Sequence, residues 1–467
     1  MPDSTAEIFA EIVGRDNILT DTGDCLTYGY DNSRRQAQPA IVVFPTDAEQ
    51  VREIVIKCNE LKLPLLARGR ATATTGATVP VDGAAVISFE KMNRIIRIDT
   101  DNRLAVVEPG VTNQELQNAL AEKGFFWPPD PTSSAYCTIG GNISCNSAGP
   151  KAVKYGTPRE NILALKCVTG TGKTIKTGSP TTKGVVGYDL TRLIAGSEGT
   201  LAVLTEATLK ITPLPEDEIT IQAIYDSVQS GAEAVAAVMA QPVTPCALEF
   251  IDHNAIEIIR DYSRAELPQS AGAMLMVEVD GSSAQLKYDS DKVIAKLKNS
   301  GCLSVDLAQT DEEKSALWAT RKALSPALRK ISPKKINEDV VVPVANIPQL
   351  IEGLDRLSNQ YQTKIVNFGH AGNGNIHVNL LLNDKNADEV ERAHNCLAEV
   401  FKLVLELDGT ISGEHGIGLE KRNYVALELS QDEIDLMLAI KRQFDPLNIL
   451  NPGKIFPEKA KADEQPN

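Results

Sequence analysis

Histidine and tryptophan are scarce in this chain, with five and two copies in 467 residues, and aromatic side chains make up only 5%. The eight cysteines (Cys25, Cys58, Cys137, Cys145, Cys167, Cys246, Cys302, Cys396) are scattered and form no CxxC pair. Iron–sulfur clusters and thiolate zinc sites need clustered thiolates, so neither is suggested, and reduced, buried thiols are expected. No apolar stretch approaches the ~20 residues of a membrane span, and the opening Met-Pro-Asp-Ser-Thr-Ala-Glu lacks the basic and apolar regions of a signal peptide. A cytoplasmic, reducing setting is expected, with peripheral membrane contact left open. Basic side chains are in deficit, 47 against 62 acidic, for a net charge of −15. General affinity for nucleic acid or anionic lipid is disfavoured because both are polyanions, and a small anionic ligand would need a locally positive pocket. No strand–GxGxxG–helix fingerprint appears, so a nicotinamide-binding domain is unsupported. Gly170-Thr171-Gly172-Lys173-Thr174 imitates the end of a Walker A loop, but Cys167 stands where its first glycine belongs and the flanks read as a hairpin.

What is present is an ordinary globular composition, 42% apolar and 23% charged, in a chain long enough for two or three domains. The first part reads as strand–helix units. A strand at Ala40–Pro45 leads to a Thr46–Glu49 capping box, then to a helix with Val51, Ile54, Val55, Cys58 and Leu61 on one face. Leu63–Ala67 and Leu104–Glu108 are further strands, and Thr112–Glu115 caps a second helix. Glycine-punctuated hairpins are expected from Leu163 to Lys176, then as strands at Gly199–Leu204 and Ala207–Thr212. Pro213, Pro215 and Glu216-Asp217-Glu218 mark a boundary. Beyond it, strands at Ile219–Tyr225, Met274–Val279 and Lys364–Phe368 alternate with helices, as in an α+β domain on an antiparallel sheet. A Thr310–Glu313 box starts a helix expected to kink or end near Pro326. Ser430 and Glu433 cap the last helix. The expected division is 1–215, 216–410, a completing segment 411–457, and a disordered polar tail 458–467.

Two loops suit close approach of backbone to phosphate. Arg68-Gly69-Arg70-Ala71-Thr72-Ala73-Thr74-Thr75-Gly76 follows a strand and offers N–H groups, hydroxyls and two guanidinium groups. The second runs from Pro128-Pro129-Asp130-Pro131-Thr132-Ser133-Ser134 to Thr138-Ile139-Gly140-Gly141-Asn142-Ile143-Ser144-Cys145-Asn146, then Gly149. Either alone would pass for a surface turn. Together with Lys154-Tyr155-Gly156 and Gly196-Ser197-Glu198-Gly199 through Lys210, their order resembles the FAD domain of flavoproteins typified by vanillyl-alcohol oxidase and p-cresol methylhydroxylase. The resemblance implies a two-part FAD-binding domain with an α+β cap, holding non-covalent FAD. The first loop would meet pyrophosphate, the second the ribityl and isoalloxazine, and Gly199 with its neighbours the adenine side. Ala71 and Ala73 stand where that family usually has glycine.

Three of the five histidines fall in two glycine-flanked motifs, Gly369-His370-Ala371-Gly372-Asn373-Gly374-Asn375-Ile376-His377 and Ser412-Gly413-Glu414-His415-Gly416. A single histidine is more often a satisfied core residue. Here a glycine-rich loop can bring His370 and His377 to one ion, with Glu414 as third ligand and a position open for substrate. The donors suit zinc, manganese or iron(II). His253 and His394 lack such neighbours and read as surface or structural. These motifs, with Asn451-Pro452-Gly453-Lys454, resemble the FAD-linked D-2-hydroxy acid dehydrogenases: the glycolate oxidase catalytic subunit, D-lactate dehydrogenases and D-2-hydroxyglutarate dehydrogenase. Asn373 stands where those relatives carry aspartate. The resemblance, covering roughly residues 20 to 457, places Asn451 and Lys454 with the cofactor.

The implied chemistry is metal-assisted binding of the 2-hydroxy carboxylate, proton removal by His415, and hydride transfer from C2 to flavin N5. Spacing leaves Arg321 open between a solvated helix face and a carboxylate clamp; the resemblance makes it the clamp, with Ser325 one turn away. Asn337, with Lys335 nearby, stands where hydroxyglutarate enzymes place a lysine, which favours D-lactate or glycolate over D-2-hydroxyglutarate or D-malate. A metal-dependent hydrolase is the alternative of another class, and a non-catalytic flavin-docking subunit a third. The electron acceptor is left open among a quinone, a cytochrome, an electron-transfer flavoprotein and an iron–sulfur subunit, and a homodimer is compatible.

Overall fold

A computed structural model describes residues 3–260 and 267–457; the tail expected to be disordered, 458–467, lies outside the described residues. The chain divides into two units, one comprising Met1–Ala148, Gly156–Leu214 and Glu414–Asn467, the other Gly149–Tyr155 and Pro215–Gly413.

In the first unit, Ile41–Val43, Ala85–Ser88 and Leu65–Arg68 pair in parallel, and Ile18–Leu19 adds an antiparallel edge. The strand Ile41–Val43 is wholly buried. The helix Ala48–Leu61 buries Val51, Ile54, Val55 and Cys58, the positions its periodicity marks. Its expected cap is corrected: Asp47, not Thr46, accepts from the N–H groups of Glu49 and Gln50, and Thr46 turns to the Gln50 side chain. Leu61, expected on the buried face, is 43% exposed at the helix end. A second sheet orders Ile95–Asp99, Leu104–Val107, Ala202–Lys210, Ile162–Thr169 and Thr174–Gly178, all antiparallel. The Walker-like Gly170–Thr174 is the turn of its last hairpin. The two strands expected at 199–212 are one strand carrying a bulge between Leu204 and Glu206. Both sides of the cap at Thr112 and Glu115 form as expected.

Among the described residues the second unit is built on an antiparallel sheet of seven strands. Their order is Cys302–Leu307, Asp217–Tyr225, Ala273–Gly281, Ala247–Asp252, Lys364–Gly369, Asn375–Leu382 and Lys334–Val341. The helix Asp311–Ile331, opened by the Thr310–Glu313 box, does not end at Pro326. Leu324, Ala327 and Leu328 on either side of the exposed proline are buried in the core and hold both turns in place. Among the described residues no helix is long and apolar enough to cross a membrane, and every cysteine is a free thiol.

Candidate functional site

The first unit contains a cleft whose walls include Arg68, Gly69, Thr138, Gly140, Gly141, Ser144, Glu198 and Gly199. Both glycine-rich loops therefore reach one place. They touch closely: a Cβ on Gly69 would lie 2.3 Å from Thr138 Oγ1. Thr138 also caps the helix Ile139–Cys145 by accepting from the Gly141 N–H. At Gly199 (φ +70°) a Cβ would meet nothing within 4 Å, so backbone faces open space. Arg68 is buried beneath the loop, donating to the Tyr30 carbonyl at 2.7 Å, and Arg70 pairs loosely with Glu90 at 3.7 Å. Ala71 sits at φ 51°, a left-handed conformation that costs a residue with a Cβ roughly 1–2 kcal/mol, whereas Ala73 does not take positive φ.

The remaining cofactor candidates support these walls. Asn142 accepts from Asn113, which also donates to the Pro129 carbonyl at 2.9 Å; Asp130 N–H donates to the Ala148 carbonyl at 2.7 Å. Thr132 and Ser133 lie in the turn that follows, where the Ser133 carbonyl accepts from Cys137 N–H. Asn146 Oδ1 accepts from Thr157 and from the Arg159 N–H. The Thr72 carbonyl accepts from Asn32, and Thr75 carbonyl from the N–H groups of Leu419 and Glu420. Thr74 Oγ1 is buried with no hydrogen-bond partner among the described residues. Gly76 and Gly156 both take positive φ. Gly149 and Tyr155 fall in the other unit, where the Tyr155 hydroxyl donates to Asp280 at 2.7 Å.

Glu198 organises the C-terminal part of this unit. Its buried carboxylate accepts from the N–H groups of Ile417 (2.6 Å) and Gly418 (2.9 Å), fixing the backbone just after His415, whose carbonyl accepts from Thr75 Oγ1 at 3.3 Å. Asn451 Nδ2 donates to the Glu198 carbonyl at 2.7 Å and to the Ala77 carbonyl at 2.9 Å. Burial raises the Glu198 carboxyl pKa, against the lowering effect of those N–H groups, Lys454 and Lys421. Lys454 is 3% exposed, and its Nζ has no hydrogen-bond partner among the described residues. Burial lowers its pKa to about 8, against the opposing charges of Glu198 and Asp31. A cation held this way suits an anionic ligand.

In the second unit, His370 directly follows the strand Lys364–Gly369 and His377 lies on the neighbouring strand Asn375–Leu382. The turn between them demands glycine at 374, at φ +77°, where a Cβ would lie 1.8 Å from the Val342 carbonyl oxygen. Asn373 sits in that turn, exposed. The two imidazole rings are 5.2 Å apart and nearly perpendicular. Glu414 follows directly on Gly413, whose N–H donates to Asp339 at 2.9 Å, and Asp339 is the register partner of His377. One ligand atom each from His370, His377 and Glu414 lies within 4.8 Å of the others. Two imidazoles and a carboxylate at this spacing fit a divalent ion with an open coordination position.

Arg321, 7% exposed, is not a solvated helix residue. Its guanidinium lies 4.8 Å over the Phe368 ring and its Nε donates to Glu249 at 2.6 Å. The other Glu249 oxygen meets His370 Nδ1 at 2.5 Å. Burial would raise the Glu249 pKa, but His370 and Arg321 bring it down to about 2. An unpaired carboxylate at 0% exposure would cost several kcal/mol. Lys335 Nζ donates to Ser325 Oγ (3.0 Å) and Asn379 (3.3 Å), and half-buried Asn337 pairs in register with Asn379. Glu249 and Asp339 are the residues that sequence reasoning passed over; a lone acid within a wholly buried strand, Ala247–Asp252, is the one signal Glu249 gave. His253 and His394 are exposed, in keeping with a surface reading.

Residues 214–455 match the family model described as FAD linked oxidases, C-terminal domain, and residues 39–178 match the FAD binding domain. The chain is 39% identical over 456 residues to glycolate oxidase subunit GlcD of Bacillus subtilis (strain 168), covering 97% of each. It is 33% identical over 431 residues to D-lactate dehydrogenase of Anaerostipes hadrus, covering 90% of each. In fold it resembles p-cresol methylhydroxylase with substrate bound, at TM-score 0.81, 19% identity and 97% coverage of both chains.

Proposed function

Since this chain belongs to the family of FAD-linked oxidoreductases that includes glycolate oxidase subunit GlcD and D-lactate dehydrogenase, we propose that it oxidises a small D-2-hydroxy acid, D-lactate or glycolate foremost, to the 2-oxo acid. The observation that carries this reading is the clustering of His370, His377 and Glu414, with the buried Arg321 tied to His370 through Glu249. FAD, when bound, supplies the hydride acceptor, and a divalent ion, zinc or else manganese or iron, supplies a Lewis acid. The chain's own residues do the rest. Arg68, the loop behind it, Thr138–Ser144, Glu198 and Gly199 would hold FAD. Arg321 binds the substrate carboxylate, and because Glu249 takes its Nε, the bidentate pair is made end-on through the two Nη groups. His415, next along the chain from Glu414, takes the hydroxyl proton, a role suited to an imidazole with a reference pKa of about 6.5. Lys335 is already held by Ser325 and Asn379, which leaves it a poor seat for a second carboxylate and supports a monocarboxylate substrate. Membership in a flavoprotein family leaves the hydrolase alternative without support.

Anaerobic mixing of the FAD-loaded protein with D-lactate, L-lactate, glycolate, D-2-hydroxyglutarate and D-malate tests the reading. D-lactate and glycolate should bleach the flavin fastest; bleaching by L-lactate alone would overturn it.

Lys454 gives a pH signature. Its folded pKa of about 8 lies below the usual lysine value, so the unfolded chain binds more protons between the two, and its contribution favours folding as pH rises through that window. An anionic ligand beside it would restore the charge. FAD binding should therefore take up a proton and weaken as pH rises through 8. Fluorescence titration of FAD between neutral and alkaline pH should show this slope in the wild type and not in Lys454→Met.

A further inference from the structure

We propose that Glu249 is a positioning residue that ties the metal-ligating imidazole of His370 to the substrate-binding guanidinium of Arg321, so that metal affinity and substrate affinity depend on one carboxylate. The inference rests on the functional reading above and adds to it a residue that touches neither substrate nor cofactor. Glu249 sits in the middle of Ala247–Asp252, a strand buried along its whole length and otherwise apolar up to Asp252. An acid there has no route to solvent, and both of its oxygens are spent on the site.

Each contact fixes a choice that the partner could otherwise make either way. A proton on His370 Nδ1, held by Oε1 at 2.5 Å, leaves Nε2 with the lone pair that a metal needs. The Arg321 Nε, held by Oε2 at 2.6 Å while the guanidinium rests on Phe368, prevents side-on binding of a carboxylate and sets the plane in which the terminal nitrogens meet it. The register adds to this. Phe250, beside Glu249, pairs with Gly369, beside His370, so the acid and the imidazole are carried on bonded strands that cannot slide apart independently. A shift of either strand would disturb ion and substrate together.

The experiment compares wild type, Glu249→Gln and Glu249→Asp, all FAD-loaded. Co(II) is the probe, followed by its absorption and by competition with a chelator, alongside KM for D-lactate at saturating metal. The glutamine keeps the shape but must turn an NH₂ group towards one of its two donors. It should bind Co(II) about 10–100-fold more weakly and raise KM even when metal is saturating, with FAD content retained. The aspartate keeps the buried charge, and so the fold, but is one methylene too short to reach both partners; it should lose Co(II) affinity in part. Wild-type affinity and KM in both variants would overturn the role of Glu249. Wild-type protein that fails to bind Co(II) would overturn instead the metal reading beneath it.

Discussion

Replacing His415 with alanine is expected to slow substrate-driven bleaching of the flavin by about 10²–10⁴-fold, the range that a positioned general base contributes. FAD content and metal affinity should stay near those of the wild type. The Glu198 carboxylate grips the N–H groups of Ile417 and Gly418, so the backbone beyond residue 415 is fixed without help from the imidazole. Glu414 is set from the other side by the Gly413 N–H on Asp339. The loss should thus fall on the rate of proton removal and lessen at high pH, where substrate hydroxyl ionises more readily. Single-turnover reduction followed at the flavin band measures it. An alanine variant that bleaches as fast as the wild type would remove His415 from the mechanism.

The largest stability effect is expected at Lys441. This lysine is 7% exposed in the helix Gln431–Phe444, and its Nζ donates to Asp445 (2.6 Å), to the Thr200 carbonyl (2.8 Å) and to the Leu450 carbonyl (3.1 Å). Asp445, fully buried, also accepts from the N–H groups of Ile449 and Leu450. Burial lowers the Lys441 pKa, and Asp445 resists that shift. Removing one partner strands the other's charge in a dry site, so Lys441→Met should cost about 3–5 kcal/mol. Lys441→Met combined with Asp445→Leu removes both charges and should recover part of that loss. Chemical denaturation of the three proteins checks it; a single variant less than about 1 kcal/mol below the wild type would show that the pair is not buried in solution.

Much of this was legible because its causes are local. A Thr or Ser followed three residues later by Glu gives both halves of a reciprocal cap within one turn, and Thr112, Thr310 and Ser430 all form one. Thr46 failed because Asp47, one residue later, accepts from the first-turn N–H groups. Pro326 misled for the opposite reason: its local cost of about 3 kcal/mol is outweighed by burial of Leu324 and Leu328, which the segment's own sequence does not announce. The grouping of His370, His377 and Glu414 could be found because glycines crowd around scarce histidines. Glu249 could not, since its two partners lie 72 and 121 residues away and only the sheet brings them together. Ala71 could be singled out by comparison with glycine, and the chain indeed takes a left-handed turn there.

The way the first unit is closed governs when it can work. Leu65 bonds on both sides to the end of the chain, its N–H to the Ile449 carbonyl at 2.7 Å and its carbonyl to the Asn451 N–H at 2.8 Å. The strand that leads into the first glycine loop thus has a neighbour made almost four hundred residues after it. During synthesis the second unit's seven strands, all before residue 383, emerge from the ribosome while that place beside Leu65 is still vacant. Capture of the flavin must therefore await residues 449–451, and a chain cut after residue 447 should yield a colourless protein whose second unit is still built.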